Sequence, residues 1–204
     1  MPVSFRVTLV LLLAAYPTIQ VYFGRREGSA STGYSRPDGQ TVQREGRTSL
    51  IIQAIVFFAI VVCVAIEAIY PPLLHAFDIA IPNWLRWVAA GVTAMSLVGL
   101  GLIHRELGRF WSAFLEMKTD HELIASGPYR WVRHPMYSVL MIHAIGLGIV
   151  AANAWVLALG VLRALMFLVR IPREEAMLIA RFGDQYHEYA KERGRLLPRL
   201  RLRH

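Results

Sequence analysis

Apolar residues in this 204-residue chain are concentrated in four long runs separated by polar segments. Three runs are each long enough for one membrane-spanning helix: 7–23, 49–70 and 84–103. The fourth run, 137–169, would form a helix of about 50 Å, which exceeds a hydrocarbon core of about 30 Å. It predicts two spans joined near 151–153, where Asn153 is the residue that most readily adopts left-handed geometry. The pattern therefore predicts an all-α, polytopic transmembrane helix bundle of about five spans.

The Lys and Arg residues support five spans over four and predict the orientation. Segments 24–48, 104–136 and 170–204 are rich in these residues, whereas 71–83 and 151–153 contain none. Because basic loops are retained in the cytoplasm, this distribution predicts an outside N-terminus, a cytoplasmic C-terminus and a cytoplasmic location for the basic segments 24–48, 104–136 and 170–204. The first run also resembles a signal peptide, but it is closed by Arg25 and Arg26 without a clean cleavage site, so we favour a retained helix.

The composition excludes several classes of protein. Hydrophobic residues make up 55% of the chain and charged residues 18%, with a mean hydropathy of +0.42, as in an integral membrane protein. The net charge of +8 lies beside the apolar runs, which favours lipid headgroups over nucleic acid as its partner. Cys63 is the only cysteine, so an internal disulfide is excluded. The histidines have no recognisable ligand spacing, and we expect no metal site.

Polar residues are dense only after the third span. We therefore divide the chain into 1–103, with three N-terminal transmembrane helices, and 104–204, a polar region with a helical hairpin and an amphipathic C-terminal helix. Within the apolar runs, Arg163 is a candidate functional residue because intramembrane arginines rarely lack a function. Glu67 and Arg86 both lie near the uncharged side, where they could pair with one another.

The first dense polar segment is KTDHELIASGPYRWVRHPMY at 118–137. Gly127 and Pro128 predict a turn, and Pro135 suits the first turn of the following helix. His134 is then placed at a helix N-terminus, where backbone N–H groups and the helix dipole favour anionic groups. An interfacial belt of Tyr, Trp and Arg is the simpler alternative for this segment taken alone.

The second dense polar segment is RIPREEAMLIARFGDQYHEYAKERGRLLP at 170–198. Its periodicity over 173–191 predicts an amphipathic helix starting at Pro172, with an apolar stripe made of Leu178, Phe182, Tyr186 and Tyr189. Glu175 lies near the centre of that stripe, and Glu174 lies at its edge. An acid on an apolar face needs a partner, and the candidates are Arg170, which is four residues before Glu174, or a cationic ligand.

Together the two segments resemble the integral-membrane methyltransferases of the isoprenylcysteine carboxyl methyltransferase family. The resemblance covers roughly 100–200 and rests on HELIASGPYRWVRHPMY at 121–137, EEAMLIARFGDQYHEY at 174–189, and the Leu197–Pro198 pair. It implies S-adenosylmethionine as methyl donor, S-adenosylhomocysteine as product, and a lipophilic, isoprenylated acceptor that enters from the bilayer. The implied acceptor group is the carboxylate of a C-terminal prenylated cysteine or of a similar isoprenyl thiol acid.

The resemblance also implies that 104–204 is a catalytic region, with a cofactor pocket and active site on the cytoplasmic side, and it implies the site residues. The donor would contact Lys118, His121, Glu122, Leu123, Ile124, Gly127, Tyr129, Arg133, His134, Pro135, Met136, Tyr137 and Glu174. Catalytic roles would fall on Arg170, Arg173 and Glu174, with Arg170 binding the acceptor carboxylate. Glu174 suits the cationic amino and sulfonium groups of the donor, Arg133 or a helix N-terminus suits its carboxylate, and Tyr129 or Trp131 could cover its adenine.

Other functions remain open from the sequence. Phospholipid N-methyltransferases and NADPH-dependent sterol-type reductases carry similar elements, and a small membrane transporter or sensor subunit is the non-enzymatic alternative. The reductase reading expects a larger helix bundle. The transporter reading expects polar residues spread over several spans near the membrane midplane, whereas here they cluster at one interface.

Overall fold

The computed structural model describes residues 1–26, 45–112 and 122–199, and within these ranges the chain is helical. The six α-helices of these described ranges are α1 (Val3–Arg26), α2 (Arg47–Ile69), α3 (Asn83–Leu107), α4 (Pro135–Ala151), α5 (Ala154–Phe182) and α6 (Asp184–Glu192). Short 3₁₀ turns lie at Pro71–Leu73, His75–Phe77, Gly108–Phe110 and Gly127–Arg130. The predicted all-α fold is confirmed.

The five apolar helices coincide with the five predicted spans. Helices α1, α2, α3 and α5 are long and apolar enough to cross a membrane. Helix α4 has 17 residues, or about 25 Å, which is near the lower limit for spanning. The chain is thus a multi-pass membrane protein, and the side on which each terminus lies stays a prediction.

Helices α4 and α5 form a close antiparallel hairpin that lacks bulky residues where the two backbones meet. A side chain at Gly148 would collide with the backbone of Leu157, and one at Gly160 would collide with the carbonyl of Ala144. Small residues allow such close approach, which strengthens helix packing in a membrane. The glycines therefore allow the C-terminal half of α4 to pack closely against the N-terminal part of α5.

The turn of this hairpin differs from the prediction at one residue. Ala152, with φ 53° and ψ 41°, takes the left-handed conformation, and Asn153 is extended. The Asn153 side-chain oxygen instead accepts hydrogen bonds from the backbone N–H groups of Trp155 (3.0 Å) and Val156 (3.4 Å). Asn153 is an N-cap of α5, a role that satisfies N–H groups water cannot reach in a membrane.

Glu67 and Arg86 do not pair with one another, contrary to the sequence-based expectation. Arg86 donates to the carbonyl of Val150 through Nε (3.0 Å) and Nη2 (2.7 Å), at the C-terminal end of α4. Glu67 accepts a hydrogen bond from Asn153 Nδ2 at 2.9 Å. A cation is favourable at a helix C-terminus, where carbonyl groups lack partners, so both residues stabilise the α4–α5 turn.

The predicted helix start at Pro172 is wrong. Pro172 lies inside α5, which continues to Phe182 and ends where Gly183 takes a φ of 53°. A proline inside a membrane helix is tolerated when neighbouring helices stabilise the surrounding turns, and Ile171 and Glu175 on either side of it are buried. The predicted amphipathic stripe is consequently divided between α5 and the separate helix α6.

Candidate active site

The polar segment before α4 has the local structure that the sequence predicts. Gly127 has a φ of 52° and begins a 3₁₀ turn, and Pro135 lies in the first turn of α4. His134 directly precedes that helix and is buried. The segment after α6 runs beside it, because Arg133 N–H donates to Gly194 O and His134 N–H to Arg195 O, both at 2.9 Å. The start of α4 is therefore held by residues some sixty positions later.

Glu175 is a buried carboxylate with three basic partners. Its Oε1 lies 3.2 Å from Arg133 Nη1 and 3.3 Å from His134 Nε2, and its Oε2 lies 2.9 Å from Arg195 Nη2. From the sequence, Arg170 or a ligand cation was the expected partner of the acid on this face. The partners come instead from the segments before α4 and after α6, so Glu175 ties both to α5.

The neighbouring Glu174 has a different environment. Its side chain is 34% exposed, its nearest basic atom is His134 Nδ1 at 3.8 Å, and its Oε2 has no hydrogen-bond partner within the described ranges. Glu174 lines a cavity of about 490 Å³, whereas Glu175 does not. Of these two acids, Glu174 is the one available to a ligand.

Arg170 lies one turn before Glu174 on α5, and its ion pair involves a residue that the sequence analysis missed. Arg170 Nη2 lies 3.0 Å from Oε1 of Glu45, and Arg173 Nη1 donates to the Glu45 carbonyl at 2.8 Å. The Glu45 side chain is buried, just before α2. Glu45 lies in a polar, arginine-rich loop 125 positions from Arg170, and no sequence pattern indicated that the two residues would be in contact.

A cavity of about 490 Å³ joins these polar residues to the transmembrane helices. Nine of the predicted donor-site residues line it: Glu122, Leu123, Ile124, Tyr129, Arg133, His134, Met136, Tyr137 and Glu174. Arg170 lines it as well, but Gly127, Pro135 and Arg173 do not. The remaining predicted residues, Lys118 and His121, lie outside the described residues.

The cavity extends from the interface into the membrane. On α5 its lining residues run from Leu178 back to Arg163, fifteen positions or about 22 Å along the helix. Its membrane end is lined by side chains of α1 and α2 that the sequence analysis did not single out, among them Tyr16, Gln20, Gln53 and Phe57. Gln20 and Gln53 could have been noticed in the sequence, because each is a polar residue within an apolar run.

Tyrosines form the wall of the cavity nearest to α6. The Tyr189 hydroxyl donates to the carbonyl of Tyr129 at 2.9 Å, and burial raises the pKa of Tyr189 to about 12. Burial also raises the pKa of Tyr129 well above its ordinary value. The Tyr186 hydroxyl is buried without a hydrogen-bond partner among the described residues. These phenols are neutral at physiological pH, so they supply aromatic faces and hydrogen bonds but no charge.

Comparison with known proteins identifies the relatives of this chain. Residues 87–180 match the model of the isoprenylcysteine carboxyl methyltransferase family. The nickel-cobalt-cadmium resistance protein NccN of Alcaligenes xylosoxydans xylosoxydans is 28% identical over 57% of this chain and 54% of its own length. The protein-S-isoprenylcysteine O-methyltransferase of Tribolium castaneum is 37% identical over 41% of this chain and 30% of its own length.

A solved structure shares the fold. The eukaryotic intramembrane Ras methyltransferase of the isoprenylcysteine carboxyl methyltransferase type has a TM-score of 0.54 and 26% sequence identity, covering 75% of this chain and 53% of that one. The chain thus spans about half or less of the length of these relatives. The resemblance predicted from the sequence is confirmed.

Proposed function

The chain is related to the isoprenylcysteine carboxyl methyltransferase family, and from this relation and the site geometry we propose that it is a membrane methyltransferase. It transfers a methyl group from S-adenosylmethionine to the carboxylate of a prenylated cysteine or of a similar isoprenyl thiol acid. The observation that carries the proposal is a cavity that is lined at one end by polar residues of the family-like segments and at the other by transmembrane helices. A water-soluble donor and a lipid-soluble acceptor can meet in such a cavity.

The residues at the polar end fit the donor. Glu174 offers a carboxylate oxygen that lacks a hydrogen-bond partner within the described ranges, which suits a cationic amino group. Arg133 lines the same cavity and its Nε is likewise without a partner there, which suits a carboxylate. Tyr129 provides an aromatic face for the adenine. When bound, the donor supplies a methyl group on a cationic sulfonium.

The acceptor carboxylate is placed at Arg170, which lies between the polar end and the membrane end of the cavity. A guanidinium can hold a carboxylate through two parallel hydrogen bonds and so fix its direction. The carboxylate oxygen forms its bond to the methyl carbon while the carbon–sulfur bond breaks, and the released electron pair stays on sulfur. No proton moves, so the protein needs no general base. Its contribution is alignment of the reactants and exclusion of water.

The proposed residues favour a carboxylate over an amine as the acceptor. An amine would have to lose a proton, and Glu174 or a histidine would then act as the base. His134 is engaged by Glu175 at 3.3 Å. The Arg170 guanidinium, which Glu45 pairs at 3.0 Å, has only hydrogen-bond donors and so cannot accept a hydrogen bond from an ammonium group. A phospholipid N-methyltransferase is therefore the second choice.

The test is transfer of a radiolabelled methyl group from S-adenosylmethionine by the purified protein in detergent or lipid. The acceptor panel contains farnesylated thiol acids and lipid amines, and S-adenosylhomocysteine and NADPH binding are measured in parallel. We expect methylation of the thiol acids and binding of S-adenosylhomocysteine. Binding of NADPH without binding of S-adenosylhomocysteine would refute the proposal. Methylation of lipid amines alone would show that the acceptor is an amine and not a carboxylate.

Arg170→Ala tests the role of the acceptor-side arginine. Turnover should fall by two orders of magnitude or more, because a misplaced nucleophile loses most of its effective concentration. The affinity for S-adenosylhomocysteine should stay near that of the wild type. Arg130→Ala is the control, since Arg130 is an exposed arginine outside the cavity. Loss of donor affinity with normal turnover in Arg170→Ala would reverse the assignment.

A further inference from the structure

The membrane end of the cavity contains a cation that the proposed reaction does not use. Arg163 lies on α5, seven positions before Arg170, or about 10 Å along the helix. Its guanidinium lies 5.3 Å from the ring centroids of both Phe57 and Phe167, and Nη1 donates to the carbonyl of Gln53 at 3.4 Å. No carboxylate of the described residues lies within ion-pair distance of it. Cation–π contacts and one long hydrogen bond leave most of its donors available.

A buried amide lies at the same end of the cavity. Gln20 of α1 is 4% exposed, and its Nε2 donates to the Tyr16 hydroxyl at 3.1 Å. Its Oε1 has no hydrogen-bond partner among the described residues, although an unsatisfied buried acceptor is costly. The Tyr16 and Phe57 ring centroids are 6.2 Å apart, and the Arg163 guanidinium is 5.3 Å from the same Phe57 ring, so the Gln20–Tyr16 pair and Arg163 both lie near Phe57.

Both groups line the cavity rather than the lipid surface. Gln20, Tyr16, Gln53 and Arg163 are all part of its wall. A purely hydrocarbon chain filling this end would cover the arginine and the glutamine oxygen without giving either a partner, which is unfavourable in a membrane. The polar lining therefore indicates a ligand that carries its own polar group at this depth.

We propose that Gln20 and Arg163 form a polar subsite that binds a hydroxyl group within the lipophilic part of the methyl acceptor. A hydroxyl fits because it can both donate to an amide oxygen such as Gln20 Oε1 and accept from a guanidinium such as that of Arg163. The spacing between Arg163 and Arg170 places this hydroxyl about 10 Å from the reacting carboxylate. This inference rests on one part of the proposed function, namely that the cavity binds the methyl acceptor. It adds that the isoprenyl-type chain of this acceptor carries an oxygen.

The test measures acceptor binding without a methyl donor, so it is independent of methyl transfer. The probes are N-acetyl-S-farnesylcysteine and three analogues with one hydroxyl on the first, second or third isoprene unit. We expect one analogue to bind on the order of tenfold more tightly than the parent, as for a buried hydrogen bond to a charged group. Equal or weaker binding of all three analogues would overturn the subsite, whereas absent methyl transfer would overturn only the proposed reaction.

Two variants assign the preference to the named residues. Arg163→Gln and Gln20→Leu should each reduce the preference for the hydroxylated analogue several-fold while parent binding is kept or improved. Leu165→Ala is the control on α5, because Leu165 is 51% exposed on the lipid-facing surface and does not line the cavity. A preference that persists in both variants would refute the assignment. A thermal unfolding temperature close to that of the wild type shows that each variant is folded.

Discussion

Replacement of Glu175 by glutamine should destabilise the protein without changing the donor site directly. The Glu175 carboxylate is within 3.3 Å of Arg133 and His134, whose side chains are only 13% and 2% exposed. Removing one member of a buried ion pair costs about 3–5 kcal/mol, because the other charge stays buried without compensation. The third partner, Arg195, is 58% exposed and can be solvated, so we expect a loss of about 3 kcal/mol, near the lower limit of that range.

Glu174→Gln is the matched comparison, since it makes the same chemical change one position earlier. Glu174 is 34% exposed and its nearest basic atom is 3.8 Å away, so the loss of stability should stay below about 1 kcal/mol. The affinity of the Glu174→Gln variant for S-adenosylhomocysteine should fall on the order of tenfold, because a charge-assisted hydrogen bond to the donor amino group is lost.

Thermal unfolding in detergent, followed by tryptophan fluorescence, separates the two effects. For a chain of this size, about 3 kcal/mol corresponds to a decrease in Tm of about 6–12 °C. Donor affinity is measured on both variants below their unfolding temperatures. The division of roles between these acids would be refuted by either of two results. One is a loss of donor binding with an unchanged Tm in Glu175→Gln, and the other is an equally large loss of stability in Glu174→Gln.

Two further predictions concern packing and pH. Gly160→Val should lower the Tm markedly, because its side chain would collide with the Ala144 carbonyl, whereas Gly91→Ala should have little effect since a Cβ there meets open space. Burial raises the pKa of Tyr189 from 10.0 to about 12, so folding favours the neutral phenol and this stabilisation is full below pH 10 and lost between about pH 10 and 12. Tyr189→Phe should therefore lose less stability than the wild type between about pH 10 and 12, and an equal loss in both proteins would contradict this assignment. An unchanged Tm in Gly160→Val would contradict the packing prediction.

The spans were predictable because hydropathy and length constrain membrane helices strongly. A run of 33 apolar residues cannot cross a hydrocarbon core once, so the break between Ala151 and Ala154 followed from length alone. The local turn was harder to predict. Asn153 was expected to take the left-handed position, but capping α5 satisfies two backbone N–H groups and leaves that position to Ala152.

The contacts of the candidate site were less predictable than its location. Sequence patterns place residues on one helix face, but they do not say which distant segment packs against it. Glu45 before α2 and Arg195 after α6 reach Arg170 and Glu175 only through tertiary packing. Residues 121–137 and 174–189 were located by their resemblance to a family, whereas the ion pairs of Arg170 and Glu175 required the structure.

The uninterrupted course of α5 through Pro172 has a geometrical consequence for the proposed reaction. Arg163, Arg170 and Glu174 lie on one continuous helix, so their spacing along the axis, about 16 Å from first to last, is set by the helix itself. A helix break at Pro172, as the sequence suggested, would have let Glu174 move independently of Arg170. Because the helix is continuous, the proposed donor and acceptor groups are held in a fixed relation, and methyl transfer depends on such alignment more than on any acid or base.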